Sequence, residues 1–330
     1  MIDAVLVVSF GGPEGPDDVM PFLKNVTRGR RIPPERLVRV AAQYLDVGGV
    51  SPIQDSVRRL VAGVRGQLAA RGRPLPVYWG NRNWHPYLAD TVERMRAEGV
   101  RRAAAFVTSA YSSYSGCRQY IDDIAAARRA AGEGAPEIVK LRPFYNHPGF
   151  VEPLAGGLRA ARAEAGPAAP VLMSAHSIPL ELAATCDYEV ELRDAAGLVS
   201  AAAGEDPRGW SLVYQSRSGP PDQPWLGPDV ESAVAALAPG CRSVIVVPLG
   251  FVVDHMEVVY DLDRLAATAA ARRGVTMVRS ATPGDDPRFA AMVCDLVEEA
   301  ADPAAPRRAL GARGPAVFPC APGCCPGPAA

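Results

Sequence analysis

The sequence predicts a doubly wound α/β protein built as two similar halves, and three observations carry that prediction. Short apolar runs alternate with longer amphipathic stretches almost throughout, the grammar of βαβ units wound around mainly parallel sheets. The length of 330 residues exceeds what one hydrophobic core usually organises, so two domains of about 150 residues are expected. Polar and glycine-rich clusters recur where the apolar runs end, and open parallel sheets present ligands beyond the carboxyl ends of their strands.

In the first half, strands are expected over 4–10, 77–80, 103–109 and 138–144, with helices over 56–72, 86–98 and 117–131. The second half repeats the pattern, with strands over 171–177, 211–216, 243–249 and 275–280 and helices over 187–203, 229–237 and 286–300. Each half reads as a Rossmann-like unit, one spanning 1–147 and the other 148–302, followed by a Pro/Gly/Cys-rich tail over 303–330. That tail is expected to be irregular unless something ties it down. No short-period repeat is present, so an architecture is duplicated and no solenoid is built.

Composition excludes several classes. At 48% hydrophobic and 22% charged residues the chain is an ordinary globular protein. A formal net charge of −1 argues against a broad nucleic-acid surface, and any anion site must be local. The first apolar run follows an acid, Asp3, and stops at Gly11-Gly12, so it reads as a buried strand and not as a signal peptide. The run near Val244 to Val253 is broken by Pro248 and Gly250 and falls short of the roughly 18 to 20 residues of a membrane span. A cytoplasmic protein with no membrane span is expected, and its seven cysteines are too few for a disulfide scaffold.

The predicted strand ends concentrate the chemistry-bearing residues. Phe10-Gly11-Gly12-Pro13-Glu14-Gly15 lacks the lysine of a phosphate loop and loses a donor at Pro13, so its glycines better suit a flat ligand lying against backbone. His176, one of only four histidines, closes a central strand, where a neutral imidazole can accept a proton or bind a transition metal. Glu257 and Asp261 follow the strongest strand of the second half and share a helix face, which suits a cation path or a proton relay. A structural histidine and a solvated acidic helix start are the bland alternatives; the pairing of the two elements favours a site. Arg28, Arg30 and Arg31 could receive carboxylates bidentately or could be a solvated charge run. Tyr111, Tyr114 and Tyr120 interleave with Ser112, Ser113 and Ser115 as an aromatic, hydroxyl-rich wall, which core packing could explain in part.

Cys320, Cys324 and Cys325 stand within six residues of a Pro/Gly tail, where thiols have no packing role. Metal is the reading preferred over a tail disulfide. Three ligands need a fourth from the body, and four cysteines serve [2Fe–2S] clusters as well as zinc. Cys117 is the first candidate and Cys186 the second, whereas Cys241 and Cys294 read as small buried hydrophobes.

Over essentially its whole length the sequence resembles the ferrochelatase family, most closely its actinobacterial members. The matching stretches, in order, are Ser9-Phe10-Gly11-Gly12-Pro13-Glu14, Gly48-Gly49-Val50-Ser51-Pro52, Gly80-Asn81-Arg82-Asn83-Trp84, Ser174-Ala175-His176-Ser177-Ile178-Pro179, Gln215-Ser216-Arg217-Ser218-Gly219-Pro220-Pro221, Pro224-Trp225-Leu226-Gly227-Pro228-Asp229 and Gly250-Phe251-Val252-Val253-Asp254-His255-Met256-Glu257. The resemblance implies two Rossmann-like domains with a porphyrin cleft between them. It implies that His176 and Glu257 are the metal-site pair for Fe(II), and that Ser51, Tyr120, Arg28 and Arg30 hold the macrocycle and its propionates. Tyr114 matches a tyrosine that ligates product iron in some actinobacterial relatives. Phe10 replaces a tyrosine of other Gram-positive relatives, and Leu265 replaces a third acid, which shortens the carboxylate path.

Cysteine-rich tails holding [2Fe–2S] clusters also occur in that family, which implies Cys320, Cys324 and Cys325 with Cys117 as ligands. The implied reaction is insertion of Fe(II) into coproporphyrin III in haem biosynthesis, with protoporphyrin IX as the near alternative substrate and a porphyrin or haem carrier as the non-catalytic one. Transient contact with porphyrin-supplying or coproheme-decarboxylating enzymes would accompany it. A dehydrogenase would need a dinucleotide fingerprint with an acid about 20 residues on, and none is present.

Overall fold

The computed structural model describes residues 1–29, 32–220, 222–320 and 323–327. The chain forms two compact units, one of Met1–Thr108, Ile121–Leu141 and Val253–Met256, the other of Ser109–Tyr120, Arg142–Val252 and Glu257–Ala330.

Through residue 140 the elements run β1 (Ala4–Ser9), α1 (Pro16–Val26), α2 (Pro34–Asp46), α3 (Ile53–Ala70), β2 (Val77–Asn81), α4 (Leu88–Ala97), β3 (Arg102–Val107), a π-helical turn at Tyr114–Arg118, α5 (Gln119–Ala131) and β4 (Glu137–Lys140). The sheet order is β2-β1-β3-β4, and every pairing is parallel. All six residues of β1, Ala-Val-Leu-Val-Val-Ser, are buried, as a central parallel strand covered on both faces requires. Proline at the first turn of α1 and of α2 starts each helix where its missing N–H costs nothing.

The second half continues with α6 (Pro148–Ala165), β5 (Val171–His176), α7 (Leu180–Ala183), α8 (Tyr188–Ala203), β6 (Trp210–Gln215), α9 (Val230–Ala235), β7 (Ser243–Val247), α10 (Met256–Val258), a π-helix at Val259–Ala266, α11 (Ala267–Arg272), β8 (Thr276–Arg279) and α12 (Pro287–Ala301). Its sheet is again fully parallel, in the order β6-β5-β7-β8. The two halves therefore repeat one topology, as the sequence pattern predicts. Asp229 and Asp286 cap α9 and α12 by accepting from the N–H groups of Ser232 and Arg288.

All eight expected strands form, with two instructive differences in detail. The fourth ends at Lys140 and not at 144. Pro143 has no N–H to give a ladder, and the neighbouring Arg142 side chain turns to Glu299 and to the carbonyl of Arg308. Helix α6 is absent from the sequence expectation because Pro153, Gly156 and Gly157 mask it. Tertiary burial of Phe150, Val151, Leu154 and Leu158 overrides that weak propensity. Gly149 is required here by close packing: a Cβ on it would lie 2.6 Å from the carbonyl oxygen of Arg288 on α12.

The C-terminal segment is tied down, not loose. Leu310 N–H donates to Asn146 O at 2.8 Å, Asn146 Nδ2 donates to Gly314 O at 2.7 Å, and Arg142 Nη2 donates to Arg308 O at 2.8 Å. The anchor beneath them is the bidentate Arg142–Glu299 pair at 2.7 and 2.9 Å, whose side chains are only 3% and 7% exposed. Removing one member of such a pair strands a charge. Arg142→Ala is expected to cost about 3–5 kcal/mol of stability in urea unfolding, whereas the double replacement Arg142→Met, Glu299→Met is expected to recover most of it.

Candidate active site

His176 is the last residue of β5, the central strand of its sheet, and its imidazole is about one-third exposed. Its Nδ1 lies 2.5 Å from the carbonyl oxygen of Ser177. A carbonyl can only accept, so Nδ1 carries the proton and Nε2 presents a lone pair in the neutral form. The main chain is fixed as well, because the Tyr188 hydroxyl donates to His176 O at 2.9 Å. Nε2 points at Glu257, whose Oε2 stands 3.6 Å away. Two acceptors facing each other at that distance call for a proton or a cation between them.

Glu257 sits at the start of α10, which widens into the π-helix Val259–Ala266. Single-turn π geometry is a recurrent marker of functional sites. Gln215, the last residue of β6, donates from Nε2 to Glu257 O at 3.0 Å and toward Asp261 Oδ2 at 3.5 Å. Ser216 donates from Oγ to the same Asp261 oxygen at 2.5 Å. Ser216 holds φ at +60°, in the left-handed region that a residue with a Cβ seldom enters. The strand end is thus bent to aim a hydroxyl at a carboxylate.

The electrostatics follow from this packing. Burial by itself lowers the pKa of His176, and the Glu257 charge, the Glu257 hydrogen bond, the Ser177 carbonyl and Asp261 together reverse the sign, so the imidazole holds its proton above the ordinary 6.5. Burial pushes Asp261 up to about 6 against the opposing donors Ser216 and Gln215. The charges of His176 and Asp261 thus act on each other's proton, and that of Glu257 acts on both.

The other predicted residues fall as follows. Ser51 is buried beside Gly12, where a Cβ would lie 2.6 Å from that of Ser51, and its N–H donates to Pro13 O. Phe10, at the end of β1, packs edge-on against Phe22 and has the Arg82 guanidinium 5.8 Å from its ring centroid. Arg28 is exposed and bonds Asn25 Oδ1 at 2.7 Å, while Arg30 lies outside the described residues. Tyr114 opens the π-helical turn and Tyr120 is buried at the start of α5. Gln215, Ser216 and Tyr188 carry site geometry for which sequence reading assigned no role. The first two were findable, since they end β6.

Among the described residues no group of three or more His, Cys, Asp or Glu side chains stands assembled as a metal site. None of the seven cysteines stands in a disulfide. Cys324 Sγ and Cys325 Sγ are 3.5 Å apart. Burial raises the Cys325 pKa strongly, and Cys324, Cys186 and Cys117 raise it further, which places both body candidates in the neighbourhood of the tail thiols. Cys320 instead turns its thiol toward Val317 O at 3.8 Å. The donors suit a thiolate-bound metal in kind, while the Cys320 thiol is engaged by a backbone carbonyl.

Two parallel sheets of one strand order define a class of α/β proteins, and a similar fold is seen in a solved structure, SirB from Bacillus subtilis with Fe3+. That likeness has a TM-score of 0.54 over 91% of this chain and 98% of that one at 13% identity, and it speaks for the fold alone. The chain belongs to the ferrochelatase family, whose profile matches residues 2–301. It is 53% identical to the coproporphyrin III ferrochelatase of Mycolicibacterium smegmatis, covering 98% of both chains. It is 49% identical to a ferrochelatase of Rhodopirellula baltica, covering 98% of this chain and 93% of the other.

The His176 environment can be checked without substrate. In an NMR titration the imidazole midpoint is expected above 6.5 in the wild type and at or below it in Glu257→Gln, where burial acts with less opposition. Because the folded pKa is raised, the stabilisation linked to this proton is fully present below the unfolded value and is lost as pH rises through the folded one. Glu257→Gln should flatten that dependence; an unmoved midpoint would remove Glu257 as its cause.

Proposed function

We propose that this protein is a ferrochelatase that inserts Fe(II) into coproporphyrin III to give the iron coproporphyrin used in haem synthesis. The observation that carries this reading is the opposition of His176 Nε2 and Glu257 Oε2 at 3.6 Å, backed by Asp261 on the π-helix. Insertion removes two pyrrole N–H protons and transfers one divalent ion from oxygen ligands to four ring nitrogens. A neutral imidazole with its lone pair directed outward accepts one proton at the ring centre, and the adjacent carboxylates pass protons or the incoming cation. A ring held out of plane would turn nitrogen lone pairs toward the metal. The relatives named for coproporphyrin III support that substrate over protoporphyrin IX.

Ser51, Tyr120, Arg28 and Arg30 are assigned to the macrocycle and its propionates, guanidinium groups being suited to carboxylates, and Tyr114 to the product iron. The cytoplasm is the assigned compartment, in keeping with seven cysteines of which none stands in a disulfide; among the described residues no helix is long and apolar enough to cross a membrane. Transient contacts with the enzymes that supply the porphyrin or decarboxylate its iron complex are part of the same reading.

The tail is assigned a [2Fe–2S] cluster on Cys117, Cys320, Cys324 and Cys325, with Cys186 as the alternative body ligand. The support is the neighbourhood that Cys325 shares with Cys117, Cys186 and Cys324, and burial raises the Cys325 and Cys186 thiols, which penalises thiolates there unless a cation compensates them. When bound, such a cluster supplies one-electron redox chemistry and a covalent tie on the tail.

Anaerobic Fe(II) insertion into coproporphyrin III and protoporphyrin IX, followed by absorbance, tests the reaction. Turnover with coproporphyrin III is expected, lowered about 10²- to 10⁴-fold in His176→Ala; stoichiometric porphyrin binding without metallation would make the protein a carrier. For the tail, anaerobically purified protein is expected to absorb in the visible and Cys324→Ser to lose that colour. A colourless wild type containing zinc would replace the cluster with a zinc site.

A further inference from the structure

Glu191 is a carboxylate that the chemistry above does not use, and it is only 4% exposed. Burying an ionisable acid is costly unless its oxygens are satisfied. Both of them go to one residue: Ser112 N–H donates to Oε2 at 2.6 Å and Ser112 Oγ donates to Oε1 at 2.7 Å. Among the described residues Glu191 makes no salt bridge, and beside these two donors the more distant Arg313 charge favours its ionised form.

Ser112 leads into the turn that carries Tyr114. The next residue, Ser113, caps that turn by accepting from Gly116 N–H at 2.9 Å, and Cys117 N–H donates to Ser113 O at 2.9 Å. Tyr111, on the other side, donates its buried hydroxyl to Leu249 O at 2.9 Å and stacks on Tyr145. Glu191 stands three residues beyond Tyr188, the residue that holds the His176 carbonyl, in the first turn of α8. Residues three apart share a helix face. One face of the first turn of α8 therefore grips both the strand end bearing His176 and the turn bearing Tyr114.

We propose that Glu191 is a positioning residue: its two-pronged hold on Ser112, made from the same turn of α8 that holds His176 through Tyr188, sets where Tyr114 stands relative to the His176 imidazole. The role rests on the reading that Tyr114 and His176 address the macrocycle. A hold of this kind acts on porphyrin binding and leaves the proton-transfer step to His176 and Glu257, so its loss shows in KM and not in kcat.

The grip depends on charge. Burial raises the Glu191 pKa to about 7 against the two Ser112 donors. The charged and titratable groups that face it are Asp187 and Cys186 just ahead of α8, Tyr111 on the loop, Tyr145 ahead of α6 and Arg313 of the C-terminal segment, with Asp194 behind Tyr145. Ionised, Glu191 accepts two charge-assisted bonds. Protonated, it retains only weaker neutral ones. Burial outweighs these donors and the folded pKa is raised, so the stabilisation that Glu191 lends to the closed segment is fully present below the unfolded value and is lost as pH rises through the folded one.

The test uses the full-length protein, Glu191→Ala and Glu191→Gln, with amide hydrogen exchange read over residues 112–117 and steady-state kinetics with coproporphyrin III and Fe(II). Glu191→Ala is expected to lose about tenfold or more of the exchange protection in that segment and to raise KM by a similar factor, with kcat within about twofold of wild type. Glu191→Gln, which mimics the protonated acid, is expected to keep most of the protection and to lose its fall as pH rises from 6 to 8. Should Glu191→Ala be too unstable to purify, Ser112→Ala removes the Oγ bond alone and is expected to shift KM in the same direction by a smaller factor.

Unchanged protection in Glu191→Ala would overturn the hold itself. Lost protection with unchanged KM would overturn its positioning role. Wild-type protein without chelatase turnover would instead sink the reading of the site, while the exchange data would still answer for Glu191.

Discussion

Every strand in either sheet runs parallel to its neighbours, and the central strands β1 and β5 are buried almost throughout. Such a strand has no exposed face on which to carry a polar group, so chemistry is pushed to its carboxyl end. His176, Gln215 and Ser216 stand at two such ends, side by side because β5 and β6 pair in register from Val171 and Trp210 to His176 and Gln215. The ladder that holds the sheet together is thus also what brings the base beside the groups that hold the acids.

What the strand ends begin, backbone irregularity completes. Ser216 accepts a left-handed conformation to reach Asp261, and the helix carrying Glu257 and Asp261 widens to π geometry. Each departure is unfavourable in isolation. Together they keep two carboxylates and an imidazole in one neighbourhood, where burial raises the Asp261 pKa to about 6, near neutrality, and the acids raise that of His176. A site that must release protons and admit a dication is served by groups poised in that range.

The C-terminal segment shows how a stretch poor in hydrophobic residues is ordered without a core of its own. The Arg142–Glu299 pair, Asn146 and the carbonyls of Arg308, Leu310 and Gly314 supply polar ties in place of apolar burial. The same segment brings Arg313 to Asp187 at the start of α8 and packs Gly327 against the Tyr114 ring, where a Cβ would lie 2.8 Å from Cε2. Tail, α8 and the Tyr114 turn are therefore mechanically linked within one unit.

The sequence by itself determined the eight strands and the duplicated parallel topology, and it marked out His176 and Glu257, which the fold brings to 3.6 Å of each other. Apolar runs of strand length and a rare histidine at the end of one are local signals, and Glu257 with Asp261 is a local spacing. Tertiary structure decided the rest. Helix α6 exists because Phe150, Leu154 and Leu158 are buried despite Pro153 and Gly157, and nothing in the segment's own propensity announces that. Glu191 reads in sequence as one more acid on an amphipathic helix. Only folding delivers Ser112, 79 positions away, to its two oxygens, because hydrogen-bond partners set by chain crossing leave no periodic trace in the sequence.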